Sequence, residues 1–395
     1  MNKLNYIFQL FSIAIATTFL FSCSDSDPLR DVIDQEKNIT LSISSSPATR
    51  GVDVATAIGV VPVLSDATIY FLSNSSVIHS ELVKAGENGS VSGEMNFTLP
   101  QTSDRVIVFG NQSGALGSDF VFAKGTGLSD LMKFQLSLDK QYNLSPDAVF
   151  VYGESSVVSD SNGSLSASVV VLPSLSRIEI SSIESLVNAR HPVSSYTLSG
   201  IYIGNTYESL GVDQRSASGE AFNVINYGRS SDVWSSSYPL PFHDLITNVT
   251  RSGMKVSPVA PNTLWSYYVH PLKGNAPTID GSKQGLVPHI ILKFSDVQID
   301  GKSDVVKDAF LTVSRFVDAS TKEEITSFDR GRVYSISSIS FGGEHLSLSP
   351  ESVPDVVPPI IPPIIPPVVP PSPTLMVTVV VTTNWIPSPI PTELN

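Results

Sequence analysis

The most regular alternation of apolar and polar residues lies at the C-terminal end, where residues 374–385 read TLMVTVVVTTNW. Alternate positions share one face of an extended chain, and the more apolar face carries Leu375, Val377, Val379, Val381, Thr383 and Trp385. A period of two among β-branched residues predicts a β-strand. At roughly 3.3 Å per residue, this strand would extend for about 40 Å.

A second alternating segment lies near the other end, where residues 38–46 read NITLSISSS. Ile39, Leu41 and Ile43 fall on one face of this segment, with small polar residues on the other. The pattern predicts a short strand with one apolar face. It is followed by PATRG, a stretch of small residues in which Arg50 precedes Gly51 and which we expect to be exposed to proteases.

Between these terminal segments, short β-rich runs alternate with turns rich in Asn, Ser and Gly. We predict a first domain at 51–173, with strands at 66–72, 91–99, 104–110, 148–152 and 165–172, and a second at 174–350, with strands at 176–183, 195–204, 264–269, 289–294, 308–313 and 332–341. Apolar residues at helical spacing predict a helix at 128–139. Many strands with few helices predict an all-β fold of two tandem β-sandwiches.

A proline-rich segment separates the second domain from the final strand. Residues 354–371 read PDVVPPIIPPIIPPVVPP, within a linker that we place at 351–373. Proline fixes φ and removes a backbone donor, so the segment is predicted to form polyproline II, a semi-rigid spacer of roughly 55 Å. A strand on such an arm suggests pairing with a neighbouring molecule, and completion of its own sheet is the alternative. The Pro pairs also exclude a transmembrane helix across 356–381.

Composition narrows the class of protein. Only 15% of the 395 residues are charged and 41% are hydrophobic, which with abundant Ser, Thr and Val indicates β-rich extracellular material. The formal net charge of −13 argues against nucleic acid or an anionic membrane surface as a partner. Cys23 is the only cysteine, so the chain cannot form an internal disulfide.

The position of this cysteine suggests a role. A lysine and an apolar run precede Leu20-Phe21-Ser22-Cys23, which resembles the lipobox of bacterial lipoproteins. The resemblance implies a signal peptide at 1–22 and a lipid on Cys23, while a plain signal peptide with an incidental cysteine is the alternative. Several acyl chains would make a firm anchor. We assign residues 23–50 to a propeptide that contains the N-terminal strand.

Catalytic motifs are absent from the sequence. The six histidines are scattered, and no HExxH, GxSxG or P-loop occurs. Asp160-Ser-Asn-Gly-Ser resembles the start of a calcium loop but lacks the distal glutamate, so it indicates a turn. We therefore expect no enzyme activity, no cofactor and no metal site.

Several motifs resemble those of the fimbrillins, the structural subunits of type V pili of Bacteroidales. They occur in the same order along the whole chain: RVIVFGN at 105–111, VYGE at 151–154, LSRIEI at 175–180, YTLSGIYIGN at 196–205, YYVHP at 267–271, FDRGRVY at 328–334 and the final VTVVVTTNW. Each motif alone is weak. Their order, together with the lipobox and Arg50, makes the resemblance fairly specific.

The resemblance implies two transthyretin-like or Ig-like β-sandwiches and a particular route of assembly. A lipoprotein precursor would reach the outer membrane surface, where an arginine-specific protease would cut between Arg50 and Gly51. The released piece would include the strand with Ile39, Leu41 and Ile43. The C-terminal donor strand of another copy, at 374–395, would fill the vacated groove through Leu375, Val377, Val379, Val381 and Trp385.

These expectations describe a stalk subunit of an extracellular fimbria that supports adhesion. Its partners would be other copies of itself, accessory pilus subunits and the protease, while the host or bacterial ligand is not specified by the sequence. The competing hypothesis is a monomeric surface lipoprotein that binds glycan or protein through its loops. That hypothesis predicts an intact N-terminus at Cys23 and no fibre.

Overall fold

The fold is all-β, as the sequence predicted. The computed structural model describes residues 36–45, 62–86, 91, 93–100, 102–113, 120–159, 161, 164–214, 224–225, 243–246, 250–251, 255–258, 264–271, 278–279, 282–283, 287–348, 350 and 375–382. The strands in this part of the chain are β1 (Glu36–Ser45), β2 (Asp66–Ser73), β3 (Ser76–Lys84), β4 (Gly93–Pro100), β5 (Arg105–Gly110), β6 (Gln135–Ser137), β7 (Val151–Ser156), β8 (Val158–Ser159), β9 (Leu165–Pro173), β10 (Ser176–Ile180), β11 (Ile183–Ser185), β12 (Val193–Gly204), β13 (Thr206–Tyr207), β14 (Ser209–Gly211), β15 (Val224–Ile225), β16 (His243–Leu245), β17 (Thr250–Arg251), β18 (Trp265–Val269), β19 (Thr278–Ile279), β20 (Ser282–Lys283), β21 (His289–Ile299), β22 (Val305–Asp318), β23 (Glu324–Ile325), β24 (Val333–Ile336), β25 (Ile339–Phe341) and β26 (Leu375–Thr382). The helical elements are α1 (Leu128–Met132) and two 3₁₀ turns, Leu138–Lys140 and Gly343–His345.

The first sheet is built from residues 36–173. Its strands follow the order β3-β2-β5-β7-β9-β1-β4, with β8 beside β9. The N-terminal strand β1 therefore lies inside the sheet, parallel to β9 and antiparallel to β4. A strand in this position cannot be lost without separating β9 from β4.

Strands β2 and β5 are buried on both faces, which explains why their sequences are almost continuously apolar. One face of β2, with Ile69 and Phe71, packs into the first-domain core together with β1, β9 and β4. The opposite face, with Tyr70 and Leu72, joins a larger core that continues into the second domain. The two domains thus share buried apolar surface.

The second sheet follows the order β16-β12-β21-β22-β26-β24-β10-β18. The C-terminal strand β26 lies inside this sheet, parallel to β22 and antiparallel to β24. In the intact chain, then, the final strand does not project from the molecule. It completes the sheet of its own second domain, which was the alternative left open by the alternating pattern, because unpaired backbone groups along an apolar strand are costly.

Hydrogen bonds also connect the domains. β6 of the first domain pairs antiparallel with β14. The Tyr268 hydroxyl donates to the Leu144 carbonyl over 3.1 Å and lies 3.1 Å from the Arg177 guanidinium, which in turn forms a buried ion pair with Glu179 at 2.9 Å. This network fixes the start of the second domain against the first.

The prediction of a helix at 128–139 was wrong beyond the first five residues. α1 ends at Met132, and residues 135–137 form β6 because they find a strand partner in residues 209–211. β3 was missed, since SVIHSELVK alternates only in part and lies at an edge of the sheet. No helix in the described part of the chain is long and apolar enough to cross a membrane.

Candidate functional site

The first slot is the space between β4 and β9 that β1 fills. Residues 39–43 of β1 pair on both sides at once, with β4 on one side and β9 on the other. The side chains of Ile39, Leu41 and Ile43, which the sequence pattern placed on one face, are fully buried. Burial of three such side chains contributes about 5–9 kcal/mol gross, in addition to the two hydrogen-bonded ladders.

The floor of the first slot is apolar and aromatic. Phe97 of β4, directly opposite Ile39, packs on Phe71 with ring centroids 5.1 Å apart. The outer face is polar, and there Thr40 donates to Asn96 at 2.9 Å and Thr98 donates to Asn38 at 3.1 Å. The slot is therefore shaped for a strand that is apolar on one face and has small polar residues on the other.

The second slot is the space between β22 and β24 that β26 fills. Residues 375–379 pair only with β22, and residues 380–382 pair only with β24. The ladder with β22 also contains an irregularity between Val313 and Arg315. Each part of β26 is thus paired on one side, whereas the centre of β1 is paired on both.

The two slots share one arrangement. In each, a strand from a chain terminus runs parallel to one neighbour and antiparallel to the other. Both slots therefore require the same strand direction relative to their two neighbours. A strand that runs in the direction required by one slot also meets the directional requirement of the other.

The residues before and after the Pro-rich arm contact neighbouring residues of β22. Phe310 pairs with Ser347, and the Thr312 hydroxyl donates to the Pro350 carbonyl at 3.0 Å. Val313, the next residue, pairs with Leu375. Pro350 and Leu375, which flank the segment that contains the Pro-rich arm at residues 351–373, therefore lie beside the same strand.

The residues that carry the family resemblance have structural roles. Asn111 adopts a left-handed conformation (φ 54°), accepts a hydrogen bond from the Ser65 backbone at 2.9 Å and donates to the Val149 carbonyl at 3.1 Å. At Gly153, a β-carbon would lie 2.4 Å from the Val170 carbonyl oxygen, so only glycine permits this approach of β7 to β9. These positions hold the first sheet together.

A second pair of motifs meets at the domain junction. Arg330, from FDRGRVY, lies over the ring of Tyr152, from VYGE, at 4.5 Å from its centroid and donates to the Tyr152 carbonyl at 3.2 Å. Desolvation lowers the pKa of the guanidinium and raises that of the phenol. Both groups keep their ordinary charge at neutral pH, so the contact is a structural link between the domains.

Two buried histidines also lie in the second domain. Desolvation lowers the pKa of His270 to about 3, opposed by a hydrogen bond to the Leu136 backbone, and lowers the pKa of His289 to about 4. Both are therefore neutral at physiological pH. Among the residues that the structure describes, no group of three or more His, Cys, Asp or Glu side chains is placed to hold a metal ion.

Several predicted site residues lie outside the described residues. These are Cys23, Arg50, Gly51 and Trp385, together with the Pro-rich arm. For Leu375, Val377, Val379 and Val381, the structure describes the backbone pairing of β26. The parallel pairing of β1 with β9 and of β26 with β22 could not be read from the sequence, since alternation reveals a strand but not its neighbours.

Comparison with known proteins places the fold. No family model and no curated protein matches the chain. Among solved structures, candidate cell adhesion proteins from Bacteroides eggerthii and Parabacteroides distasonis share 14% and 13% of aligned residues, each with a TM-score of 0.50; the alignments cover 88% and 89% of this chain and 95% and 98% of those chains. A fimbrilin from Porphyromonas gingivalis aligns with 90% of this chain and 98% of its own, at 12% identity and a TM-score of 0.48.

The chain therefore has a β-sandwich fold that is also found in candidate cell adhesion proteins of Bacteroidales. At this level of identity, the likeness extends to the fold alone.

Proposed function

We propose that the chain is a structural subunit of a cell-surface fimbria, that it polymerises by strand exchange and that it supports adhesion. The observation that carries this proposal is the position of β1, a terminal strand that fills an interior slot of the first sheet. β1 ends at Ser45, so a cut after Arg50 would sever it from the rest of the chain. Its departure would leave two unpaired strand edges and an apolar trough, a ready acceptor for another strand.

The acceptor's partner is β26 of another copy. β26 has the alternation that the first slot requires, with Leu375, Val377, Val379 and Val381 on one face. In its own sheet it is paired on one side at each residue, whereas a strand in the first slot is paired on both. Exchange into a vacated first slot would therefore gain backbone hydrogen bonds, and it is favoured for that reason.

Repetition of this exchange produces a fibre. The donor strand and the acceptor slot lie on different domains, so each contact is head-to-tail and need not close into a ring. Burial of four large aliphatic side chains contributes about 6–12 kcal/mol gross, from which the entropy of association and ordering subtracts a large part. The role is structural, and we assign no catalytic activity to the chain.

The sequence supplies the expected cellular setting. The lipobox-like segment implies that the precursor is anchored through Cys23 at the outer membrane surface, and proteolysis after Arg50 would release the subunit into an extracellular fimbria. Partners are other copies of the chain, accessory pilus subunits and an arginine-specific protease. The similarity of fold to candidate cell adhesion proteins supports a surface role.

The cleavage step is tested by matched arginine variants. Arg30 and Arg50 both precede the first domain, but a cut after Arg30 would leave β1 attached to it. We expect Arg50→Ala to leave uncleaved chain on the cell and no fibre, and Arg30→Ala to assemble normally. Electron microscopy and N-terminal mass spectrometry of sheared material provide the readouts, with a start at Gly51 in wild-type fibres.

Fibres of normal length from the Arg50→Ala variant would contradict the cleavage step. The strand itself is tested separately by removing residues 374–395, which should stop elongation while cleavage after Arg50 continues. Detergent-resistant ladders that persist in the truncated protein would contradict assembly through β26.

One observation favours the second candidate function, a monomeric surface lipoprotein that binds glycan or protein. β26 completes the sheet of its own second domain in the intact chain, so both slots formed by the described strands are filled in the monomer. This candidate predicts lipidated Cys23 as the N-terminus of the surface protein. The same mass spectrometry separates the two, because a start at Gly51 is incompatible with a lipid-anchored chain.

A further inference from the structure

The Pro-rich arm and the position of its ends lead to an inference that does not depend on cleavage. We propose that the second slot accepts β26 from a second copy of the chain, so that two intact molecules exchange their C-terminal strands. The partner is thus another copy of this chain, and the interaction surface is the pair of edges presented by β22 and β24.

The slot itself does not distinguish its own strand from that of another copy. β26 of a second molecule has the same sequence and would make the same pairing, with residues 375–379 along β22 and residues 380–382 along β24. All contacts within the slot are therefore conserved on exchange. The balance between a slot filled by its own β26 and a slot filled by β26 of a second copy is therefore decided by the segment that connects β26 to the rest of its chain.

That connection is poorly suited to return the strand to its own slot. The last described residue before the arm is Pro350, whose carbonyl accepts a hydrogen bond from Thr312. The first described residue after the arm is Leu375, which pairs with Val313. The intervening sequence carries four Pro pairs, at 358–359, 362–363, 366–367 and 370–371. The sequence predicts polyproline II for this segment, and a polyproline II segment of roughly 55 Å favours separated ends, whereas the flanking residues Pro350 and Leu375 lie beside adjacent residues of β22.

A linker raises the local concentration of its own strand most when its average length matches the span it bridges. Here the predicted length far exceeds the span, so the effective concentration of a molecule's own β26 at its own slot is low. A second copy can accept the strand while the arm stays extended. The one-sided pairing of each residue of β26 also lowers the number of hydrogen bonds that must open before exchange.

Cross-strand cysteines test the exchange in the uncleaved chain. Ser335 of β24 pairs with Val380 of β26, which brings their β-carbons to about 4.5–5.5 Å, close enough for a disulfide after small adjustments. The chain would carry Cys23→Ser and Arg50→Ala, which remove the only native thiol and the proposed cleavage site. One co-expressed copy carries Ser335→Cys and a tag, and the other carries Val380→Cys.

We expect a disulfide-linked heterodimer on non-reducing gels and by mass spectrometry. The control replaces Ser335→Cys with Ser303→Cys, at an exposed turn beyond the end of β21 and outside the second slot, which should give no cross-link with Val380→Cys. Absence of the 335–380 heterodimer would overturn the proposal. So would equal cross-linking at residue 303, because random collisions would then account for the product.

A chain with both cysteines measures the distribution between the two states. Its disulfide is intermolecular when β26 is exchanged and intramolecular when β26 lies in its own slot. Replacement of the eight paired prolines by Ser should lower the covalent dimer fraction about tenfold, since a flexible arm returns its own strand more readily. A purely intramolecular disulfide with the native arm, or an unchanged dimer fraction with the Ser arm, would overturn the proposal.

These results are separable from the fibre proposal. Exchange between second slots takes place in the Arg50→Ala background, in which the fibre proposal predicts no polymer. Failure of the dimer with normal wild-type fibres would refute only the exchange between second slots. A cross-linked dimer with no fibres from cleaved wild-type chain would refute only the fibre.

Discussion

At the scale of single residues, Leu41 occupies the centre of the first slot. It is fully buried, opposite Met95 on one side and Ala167 on the other. Ser42, its neighbour, lies on the opposite face and is partly exposed. Substitutions at these two positions therefore distinguish the effect of burial in the slot from the effect of belonging to the strand.

Leu41→Ala should destabilise the uncleaved first domain by about 2–5 kcal/mol, the usual cost of truncating a buried leucine to alanine. Ser42→Ala, the matched control, should change stability by less than about 0.5 kcal/mol. Urea unfolding of the Arg50→Ala chain measures both. Equal stability of Leu41→Ala and its parent would contradict the buried role of β1.

Buried histidines make stability dependent on pH. The folded-state pKa values of His270 and His289 are lowered to about 3 and about 4 by desolvation, below their ordinary value near 6.5. Between pH 6.5 and these lowered pKa values, the unfolded chain therefore binds more protons than the folded chain. The stabilising contribution of each neutral histidine is lost as the pH falls from 6.5 towards its folded-state pKa. Each histidine should contribute a slope of up to about 1.4 kcal/mol per pH unit.

The variant His270→Gln removes the contribution of one buried histidine to this pH dependence. Its free energy of unfolding should fall less steeply than that of wild type between pH 6 and about 4. Val187→Ala, at an exposed site, changes no titrating group, so it serves as the control and should keep the wild-type slope. An unaltered slope in His270→Gln would show that His270 is not buried as a neutral group.

How far the sequence predicts the fold differs from residue to residue. Alternation assigned Ile39, Leu41 and Ile43 to one face of a strand, and in the structure all three side chains are buried. The ion pair of Arg177 with Glu179 could not be predicted in the same way. Both residues are charged within a short strand, and their burial depends on Tyr268 and on packing against the first domain.

At the scale of elements, local pattern identified strands but not their partners. Alternation predicted strands at 38–46 and 374–385, and the structure has strands there at Glu36–Ser45 and Leu375–Thr382, with residues 46, 374 and 383–385 outside the described part of the chain. Alternation could not reveal that each lies in the interior of a sheet, because neighbours are set by contacts distant in sequence. The failure at 128–139 has the same origin, since β6 exists through its pairing with β14.

The difference in pairing between the terminal strands leads to a prediction at this scale. Residues 39–43 are paired on both sides, and each part of β26 is paired on one. In the uncleaved chain, backbone amides of β26 should therefore exchange with solvent faster than those of residues 39–43. Hydrogen exchange followed by mass spectrometry measures this directly. Slower exchange in β26 would contradict the view that β26 is the strand that moves.

At the scale of the whole molecule, the two proposals together assign one strand, β26, to two alternative slots. Before cleavage the first slot is filled by β1, so β26 can occupy only a second slot, in its own chain or in another copy. After the proposed cleavage the first slot would become available, with pairing partners on both sides. Under the proposal, proteolysis would change which slot holds β26, and a first slot filled by β1 would keep the precursor from polymerising prematurely.

The fixed relation between the domains suits a fibre subunit. The shared core, the pairing of β6 with β14 and the contact of Arg330 with Tyr152 hold the first slot and the second sheet in one body. Tension applied between a donated strand and a filled slot would pass through this junction. A rigid junction allows repeated subunits to form a regular fibre rather than a flexible chain.

Hydrogen exchange in assembled fibres, compared with the uncleaved Arg50→Ala chain, tests the central claim most directly. If β26 leaves the second slot for the first slot of a neighbour, amides at 313–318 and 333–335 should lose protection, while β4 and β9 remain protected. Full protection at 313–318 and 333–335 in cleaved fibres would show that β26 stays in the second slot, and strand exchange through β26 would then be excluded.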